Sequence, residues 1–165
     1  MLAFALVSNL AIHPERWVTL RELHDLGRVL VLRGDGVDSE LIAGENEHGH
    51  DPSVREAVTS FREVLGPFTV GMSRIGFGRI ASEVAARRAA SIRTALWPHM
   101  QDTESRTSHR RLFDVHHVVT AIENGLDGLV TDDALLIRRA IEAWHLLGDF
   151  RVLTPNRAVD WVMMA

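Results

Sequence analysis

The stretch "FDVHHVVTAIENGLDGLVTDDALL", residues 113–136, decides the fold, because it predicts a helix, a turn and a strand in direct succession. Apolar residues recur at helical spacing up to Gly125, which suits the left-handed stop found at many helix ends. The short apolar run "GLVT" then predicts a buried strand, and a second helical pattern follows it. Asp114 opens the first predicted helix and Asp133 follows the strand, so carboxylates stand at both ends of this unit.

The same alternation of short apolar runs and longer helical patterns continues along the 165 residues. Strands are predicted at residues 3–7, 28–34, 68–72, 128–131 and 150–155. Helices are predicted at residues 14–27, 38–45, 51–66, 79–97, 112–124, 133–147 and 156–162. Such alternation predicts an α/β fold, a three-layer α/β/α sandwich around a mainly parallel central sheet. No shift in composition divides the chain, so we expect a single domain over residues 1–165.

Composition excludes several classes of function. The chain has no lysine among its 18 basic residues, which excludes a Walker A phosphate loop and a Schiff-base mechanism, because both need a lysine. It has no cysteine, which excludes disulfides, a thiolate nucleophile and cysteine-ligated zinc. A net charge of -4 gives no general attraction to nucleic acid, so RNA binding would depend on local arginines. No apolar run reaches the ~20 residues that span a bilayer, and we expect a cytoplasmic protein without a membrane partner.

Three acidic residues are predicted to meet at one edge of the sheet. The carboxyl ends of parallel strands share one edge with the amino ends of the helices that follow them, and ligand sites form there. Asp133 follows the strand at 128–131, and Glu40 follows the strand at 28–34 by a few residues. Asp114 opens a helix of ~11 residues, roughly 16 Å long, and the turn and strand after it return the chain to the same level. We therefore expect these three side chains to be neighbours.

Clustered carboxylates repel one another, and a hard divalent cation such as Mg²⁺ or Mn²⁺ relieves that repulsion. The residues expected to hold such an ion are Glu40, Asp114, Asp132 and Asp133. A metal site of this kind can activate water for attack on a phosphodiester. The alternative is that Asp114 and Asp133 only cap the helices they precede, since aspartate is common at helix N-termini.

The C-terminal part of the chain resembles the PIN-domain family. That family's pattern is an acid that opens a helix, a Thr-Ala pair inside it, a glycine turn, a strand and a Thr-x-Asp. In this chain those positions are Asp114, Thr120, Ala121, Gly125, Thr131 and Asp133. The similarity covers residues 112–160, including the last strand and its "TP". It extends more loosely over residues 20–42, where Glu40 falls at the family's second acidic position.

The resemblance implies a metal-dependent nuclease that cleaves RNA with Mg²⁺ or Mn²⁺. It further implies a toxin of a toxin–antitoxin pair, which forms a homodimer and is held inactive by a small antitoxin protein. The catalytic residues that it implies are Glu40, Asp114 and Asp133. The residues that it implies would line the site are Ser8, Asn9 and Thr131.

One position departs from the family pattern. The family's first strand ends in Asp-Thr-Asn, whereas this chain has Val7, Ser8 and Asn9 there. Valine cannot bind a hard cation, so the central ligand is missing. Three explanations stay open: the site is degenerate, another acid compensates, or the chain is an altered variant. The acids that could compensate are Asp132, Asp35 and Asp38. A degenerate site would leave an inactive PIN-like module that binds RNA or protein.

Arginines and histidines near these acids add two further predictions. Arg87, Arg110 and Arg111 could hold the RNA backbone, because phosphate contacts position nucleic acid on a protein. The alternative is that they lie on solvated helix faces. Of His116 and His117, we expect one to pack in the core and the other to face solvent. A receiver-type phosphoacceptor domain would also gather acids at strand ends, but it is disfavoured because such domains depend on a lysine.

Overall fold

The computed structural model describes residues 1–7, 10, 13–37, 40–42, 56, 58–67, 82–100 and 106–165. These residues include one sheet of five parallel strands. The strands are β1 Leu2–Leu6, β2 Val29–Gly34, β3 Glu63–Val64, β4 Gly128–Val130 and β5 Arg151–Leu153. They lie in the order β3-β2-β1-β4-β5, so the direction in which the sheet grows reverses between β1 and β4.

Helices connect the strands. Those with described bounds are a 3-10 helix at Pro14–Arg16, followed by α1 Val18–Asp25, α2 Glu83–Leu96, α3 Arg106–Glu123, α4 Ala134–Glu142, α5 Trp144–Leu147 and α6 Pro155–Met164. Side-chain oxygens start three of them, where Ser82, Asp133 and Thr154 accept hydrogen bonds from the first turns of α2, α4 and α6. Across the stretches that the structure describes, no helix is both long and apolar enough to cross a bilayer.

Helices cover both faces of the sheet, which confirms the predicted three-layer α/β/α sandwich. Phe4 and Leu6 of β1 join one apolar cluster with residues of α1 and α6. Ala5 joins the opposite cluster with residues of α2, α3 and α4. In β4, Leu129 and Val130 divide in the same way. Because successive side chains of a strand point to opposite faces, strands covered on both sides are apolar throughout, as the sequence pattern indicated.

The third strand lies earlier in the chain than the prediction placed it. β3 pairs with β2 inside the predicted helix at 51–66, so that prediction is wrong at its C-terminal end. The reason is tertiary: Arg33 Nε donates to the carbonyl of Phe61 at 3.1 Å, and its Nη2 lies 3.7 Å from Glu63 Oε2. These contacts hold the segment beside β2 as a strand, although its sequence pattern predicts a helix. The predicted strand at 68–72 lies outside the described residues.

Two predicted helices are interrupted in the structure. The one at 14–27 divides at Trp17, whose indole is buried and donates from Nε1 to the carbonyl of Leu10 at 2.9 Å. The one at 133–147 divides at Ala143, between α4 and α5. The predicted stop at Gly125 is confirmed, since its φ of +66° lies in the region that favours glycine.

Candidate functional site

Acidic residues from separate elements lie at the carboxyl edge of the sheet. Asp35 follows β2 directly, and Asp133 follows β4 by three residues. Glu40 belongs to the segment after β2. The edge includes the point between β1 and β4 where the strand order reverses. Ligands of open α/β sheets bind in the crevice at such a switch point.

Asp114 reaches this edge from the third turn of α3. The helix begins at Arg106, so the prediction that Asp114 opens it is wrong. α3 packs against β1, β2 and β4, and the turns before Asp114 extend about 12 Å beyond it at 1.5 Å per residue. Those turns consist mainly of polar residues, so they lack the apolar period from which the helix start was predicted.

The structure places Asp114 among other charges. It is partly buried, and no hydrogen bond joins it to the described residues. Burial raises its pKa from 3.8 to about 7; the charges of Asp133 and Glu40 also raise it, whereas those of His117 and Arg110 lower it. Asp133 and Glu40 therefore each lie within electrostatic range of Asp114.

Two histidines of α3 each contact an acid at this edge. His117 Nε2 lies 2.7 Å from Glu40 Oε2, and His116 Nε2 lies 3.0 Å from Asp35 Oδ1. Both imidazoles are buried, so the prediction that one faces solvent is wrong. The sheet covers one side of α3, and α2 covers another side. These two neighbouring positions therefore both lie on covered faces of the helix. The signal that could have found His117 is its position three residues after Asp114, on the same helix face.

His117 is the basic side chain of α3 that contacts Glu40. Burial alone would lower its pKa, but the charge and hydrogen bond of Glu40 and the charges of Asp114 and Asp35 together raise the pKa above 6.5. The imidazolium is therefore favoured to higher pH than in an exposed histidine. One such cation offsets only part of the negative charge of three carboxylates.

Asp133 is the N-cap of α4. Its Oδ1 accepts hydrogen bonds from the backbone N–H groups of Leu135 at 2.8 Å and Leu136 at 2.9 Å. The buried Thr131 accepts a hydrogen bond from the Asp133 N–H at 3.1 Å, which fixes the turn. The capping role considered as an alternative is therefore confirmed for Asp133. Its Oδ2 makes no hydrogen bond with the described residues.

Other positions of the predicted site have different surroundings. Asp132 Oδ2 accepts a hydrogen bond from Arg16 Nη1 at 2.9 Å, and its charge is not among those that act on Asp114. Val7, where the resemblance would have an acid, is buried in the apolar cluster beneath α2, α3 and α4 and contributes to its packing. The positions that lie outside the described residues are Ser8, Asn9 and Asp38.

The three arginines predicted to hold RNA differ in their contacts. Arg87 pairs with a glutamate four residues earlier on α2. The guanidinium of Arg111 lies over the ring of Trp97, with 4.9 Å between Cζ and the ring centroid. Arg110 is exposed, and its charge lowers the pKa of Asp114. Of the three, Arg110 is therefore the one that acts on the acidic group.

The donor chemistry of the acidic group suits a hard divalent ion, although the group is not a complete site. Among the residues with described positions, no three His, Asp or Glu side chains are arranged as metal ligands. The available donors are carboxylate oxygens, which Mg²⁺ and Mn²⁺ prefer. Burial makes Asp114 costly to ionise, it makes no hydrogen bond with the residues whose positions are described, and a cation beside it would offset that cost.

Fold and site together define an open parallel α/β sandwich with an acidic group at its carboxyl edge. Comparisons with models of protein families and with curated proteins find no match for this chain. The likeness to PIN domains therefore stays a prediction that rests on the motif residues.

Proposed function

We propose that the protein is a PIN-like endoribonuclease that cleaves RNA with Mg²⁺ or Mn²⁺. The observation that carries the proposal is the position of Asp114 at the carboxyl edge, where Asp35 and Asp133 follow β2 and β4 and Glu40 contacts His117. Burial and the charges of Asp133 and Glu40 raise the pKa of Asp114 to about 7. A partly buried acid within range of two further acidic charges, at the carboxyl edge of a parallel sheet, is an arrangement that a bound divalent cation stabilises.

Each residue of the acidic group would have a distinct task. Asp114 and Asp133 would hold the ion, the latter through Oδ2 while Oδ1 caps α4. When bound, the ion supplies a water of lowered pKa and offsets charge on the phosphate. Glu40, fixed by its hydrogen bond to His117, would orient the attacking water. Arg110, exposed in the second turn of α3, would contact the RNA backbone.

The proposal includes a toxin role in the cytoplasm, with a second copy of the chain and a small antitoxin protein as partners. Exposed apolar side chains support a protein contact surface. Ile141 at the end of α4 is 66% exposed, and Trp144 at the start of α5 is 69% exposed. These two exposed side chains are three residues apart in sequence, and contiguous exposed apolar patches mark interaction surfaces.

The second candidate is an inactive PIN-like module that binds RNA or protein. Val7 favours it, because a buried valine stands where the family has its central ligand. The His117–Glu40 hydrogen bond also favours it, since it satisfies one acid without a metal. The two candidates differ in whether the acidic group binds a divalent ion with useful affinity.

Calorimetric titration with Mn²⁺ separates these candidates. At pH 8 we expect saturable binding of one ion with a Kd of about 1 mM or tighter. At pH 6 we expect binding about tenfold weaker, because a proton competes with the ion for Asp114, whose pKa is about 7. Asp114→Asn should abolish binding, and the exposed Asp149→Asn should not. Absence of saturable binding by the natural chain would contradict the nuclease proposal and support the inactive module.

Arg110→Ala should weaken RNA binding several-fold and reduce the slope of log K against log salt by about 1, as expected for one lost phosphate contact. Fluorescence anisotropy in an Asp114→Asn background measures binding without cleavage. Arg87→Ala is the matched control, because its charge is already paired with a glutamate on α2 and its loss should matter less. Binding that is unaffected by Arg110→Ala would show that this residue only lies on a solvated helix face.

A further inference from the structure

The backbone at the end of β2 packs directly against the imidazole rings of α3. Gly34, Asp35 and Gly36 follow one another here, and all three are buried. A Cβ atom placed on Gly36 would lie 3.1 Å from Cδ2 of His116 and 3.2 Å from Cε1 of His117. Both distances are shorter than ordinary van der Waals contact, so a methyl group at this position would have to displace the rings.

This close approach, and not the backbone conformation, explains the glycine at position 36. The glycines with a positive φ in the described part of the chain are Gly27, Gly125 and Gly148. Gly36 is not one of them, and an alanine can adopt its backbone conformation without the strain of the left-handed region. The space that its missing side chain leaves is taken up by the two imidazoles.

The ring of His117 has little room to move away from Gly36. His117 is buried, and the ring centroid of Phe113, one turn earlier on α3, lies 6.2 Å from its own. The neighbouring ring of His116 is held by the contact of its Nε2 with Asp35 Oδ1 at 3.0 Å. A ring that is displaced within such tight packing takes its hydrogen-bonding nitrogen with it.

That nitrogen is the one that holds Glu40. His117 Nε2 lies 2.7 Å from Glu40 Oε2, and the two residues are 77 positions apart in the chain. Because a carboxylate can only accept, Nε2 carries the hydrogen of this bond. One oxygen of Glu40 is therefore fixed to a buried ring, so the position of the carboxylate depends on where that ring lies.

We propose that Gly36 and His117 are positioning residues for Glu40, the acid that would orient the attacking water. Gly36 leaves the space in which the imidazole lies, and the imidazole holds the carboxylate at the edge of the sheet. The inference rests on the proposed function for the use of Glu40. Its geometric part rests only on the packing of α3 against β2.

Nitrogen NMR of the histidine side chains tests the geometric part. We expect the His117 Nε2 signal, identified by its absence from His117→Met, to shift in Gly36→Ala, because the rings must give way by a few tenths of an ångström. Gly34→Ala is the matched control, since a Cβ there would lie 3.7 Å from His117 Nδ1, which is ordinary contact. An unmoved His117 signal in Gly36→Ala would overturn the proposal.

Single-turnover cleavage of RNA with Mn²⁺ tests what the position of Glu40 is used for. Gly36→Ala should lower the maximal rate constant about tenfold, because small displacements of catalytic groups are costly. The RNA concentration that gives half the maximal rate should not change. Gly34→Ala should cleave at the natural rate. His117→Met should be at least as slow as Gly36→Ala, and His117→Gln, whose amide nitrogen can donate to Glu40, should restore most of the rate.

The double variant shows whether Gly36 acts through His117. In the His117→Met background, Gly36→Ala should have little further effect, because the flexible thioether chain can give way. Fully additive effects, or a natural rate in a Gly36→Ala chain whose His117 signal has moved, would overturn the proposal. Failure of the proposed function is seen in the natural chain itself, as absence of cleavage with Mn²⁺, and would overturn this use of Glu40 with it. Failure of this inference alone is seen only in the variants.

Discussion

Asp114→Asn should lower metal-dependent RNA cleavage on the order of 100-fold or more. An ion that stabilises the transition state by several kcal/mol is worth at least that factor, and the variant removes the carboxylate that would hold it. Asparagine has nearly the same shape, and Asp114 makes no hydrogen bond with the described residues that the change would break. The measurement is a single-turnover rate on a labelled RNA with Mn²⁺, at pH 8.

Asp133→Asn provides an independent variant of the same site. Asparagine is as good an N-cap as aspartate, so the start of α4 should be preserved while the charge is lost. We expect a similar fall in cleavage, whereas Asp149→Asn, at an exposed position, should leave the rate unchanged. Cleavage at the natural rate in both Asp114→Asn and Asp133→Asn would remove the acidic group from the reaction.

The same Asp114→Asn variant should be more stable than the natural chain at high pH. The pKa of Asp114 is 3.8 when unfolded and about 7 when folded, so between these values the folded state binds more protons and stability falls as pH rises. Each pH unit of that interval lowers the free energy of unfolding by about 1.4 kcal/mol. At pH 8 the ionisation of Asp114 therefore lowers it by up to about 4 kcal/mol. Asparagine cannot ionise and avoids this cost.

Urea unfolding at pH 3.5, 6 and 8 measures the effect. The natural chain and the variant should have nearly equal stability at pH 3.5, where Asp114 is protonated. At pH 6 and again at pH 8, the variant should become more stable relative to the natural chain. Some loss of stability with pH should persist in the variant, because His117 also has a raised pKa and loses its proton in the same direction. Mn²⁺ at pH 8 should stabilise the natural chain and not the variant.

Asp149→Asn is again the control, since surface substitutions change stability by less than about 0.5 kcal/mol. Equal stability of the natural chain and Asp114→Asn at pH 8 would mean that Asp114 is solvated like an ordinary surface acid. That result would remove the physical basis for a cation at this position, independently of any assay with RNA.

Several features of the site could be predicted because they depend on local order along the chain. Asp133 follows a short apolar run that forms the buried strand β4, so its place at the carboxyl edge follows from the parallel sheet. Gly125 ends α3 because it can take a positive φ. The helical residues between Asp114 and Gly125 span the distance back to the carboxyl edge, so Asp114 reaches the level of Asp133. This holds even though α3 begins two turns earlier than predicted.

Other features could not be predicted because they depend on contacts between distant segments. β3 overrides a helical pattern through the contacts of Arg33 with Phe61 and Glu63. Asp132 and Asp133 are neighbours in sequence, yet Arg16 binds the first while the second caps α4. No spacing rule separates two adjacent acids whose partners come from different elements.

The amino-acid sequence by itself determined the layered α/β architecture, because the spacing of apolar residues indicates which segments form strands and which form helices. It also determined which edge of the sheet carries Glu40, Asp114 and Asp133. Only the tertiary structure decided the electrostatic state of that edge. The pairing of His117 with Glu40 and the burial of Asp114 arise where α3 packs on the sheet. A pKa depends on desolvation and on charges brought together by folding, and neither quantity is a property of residues in linear order.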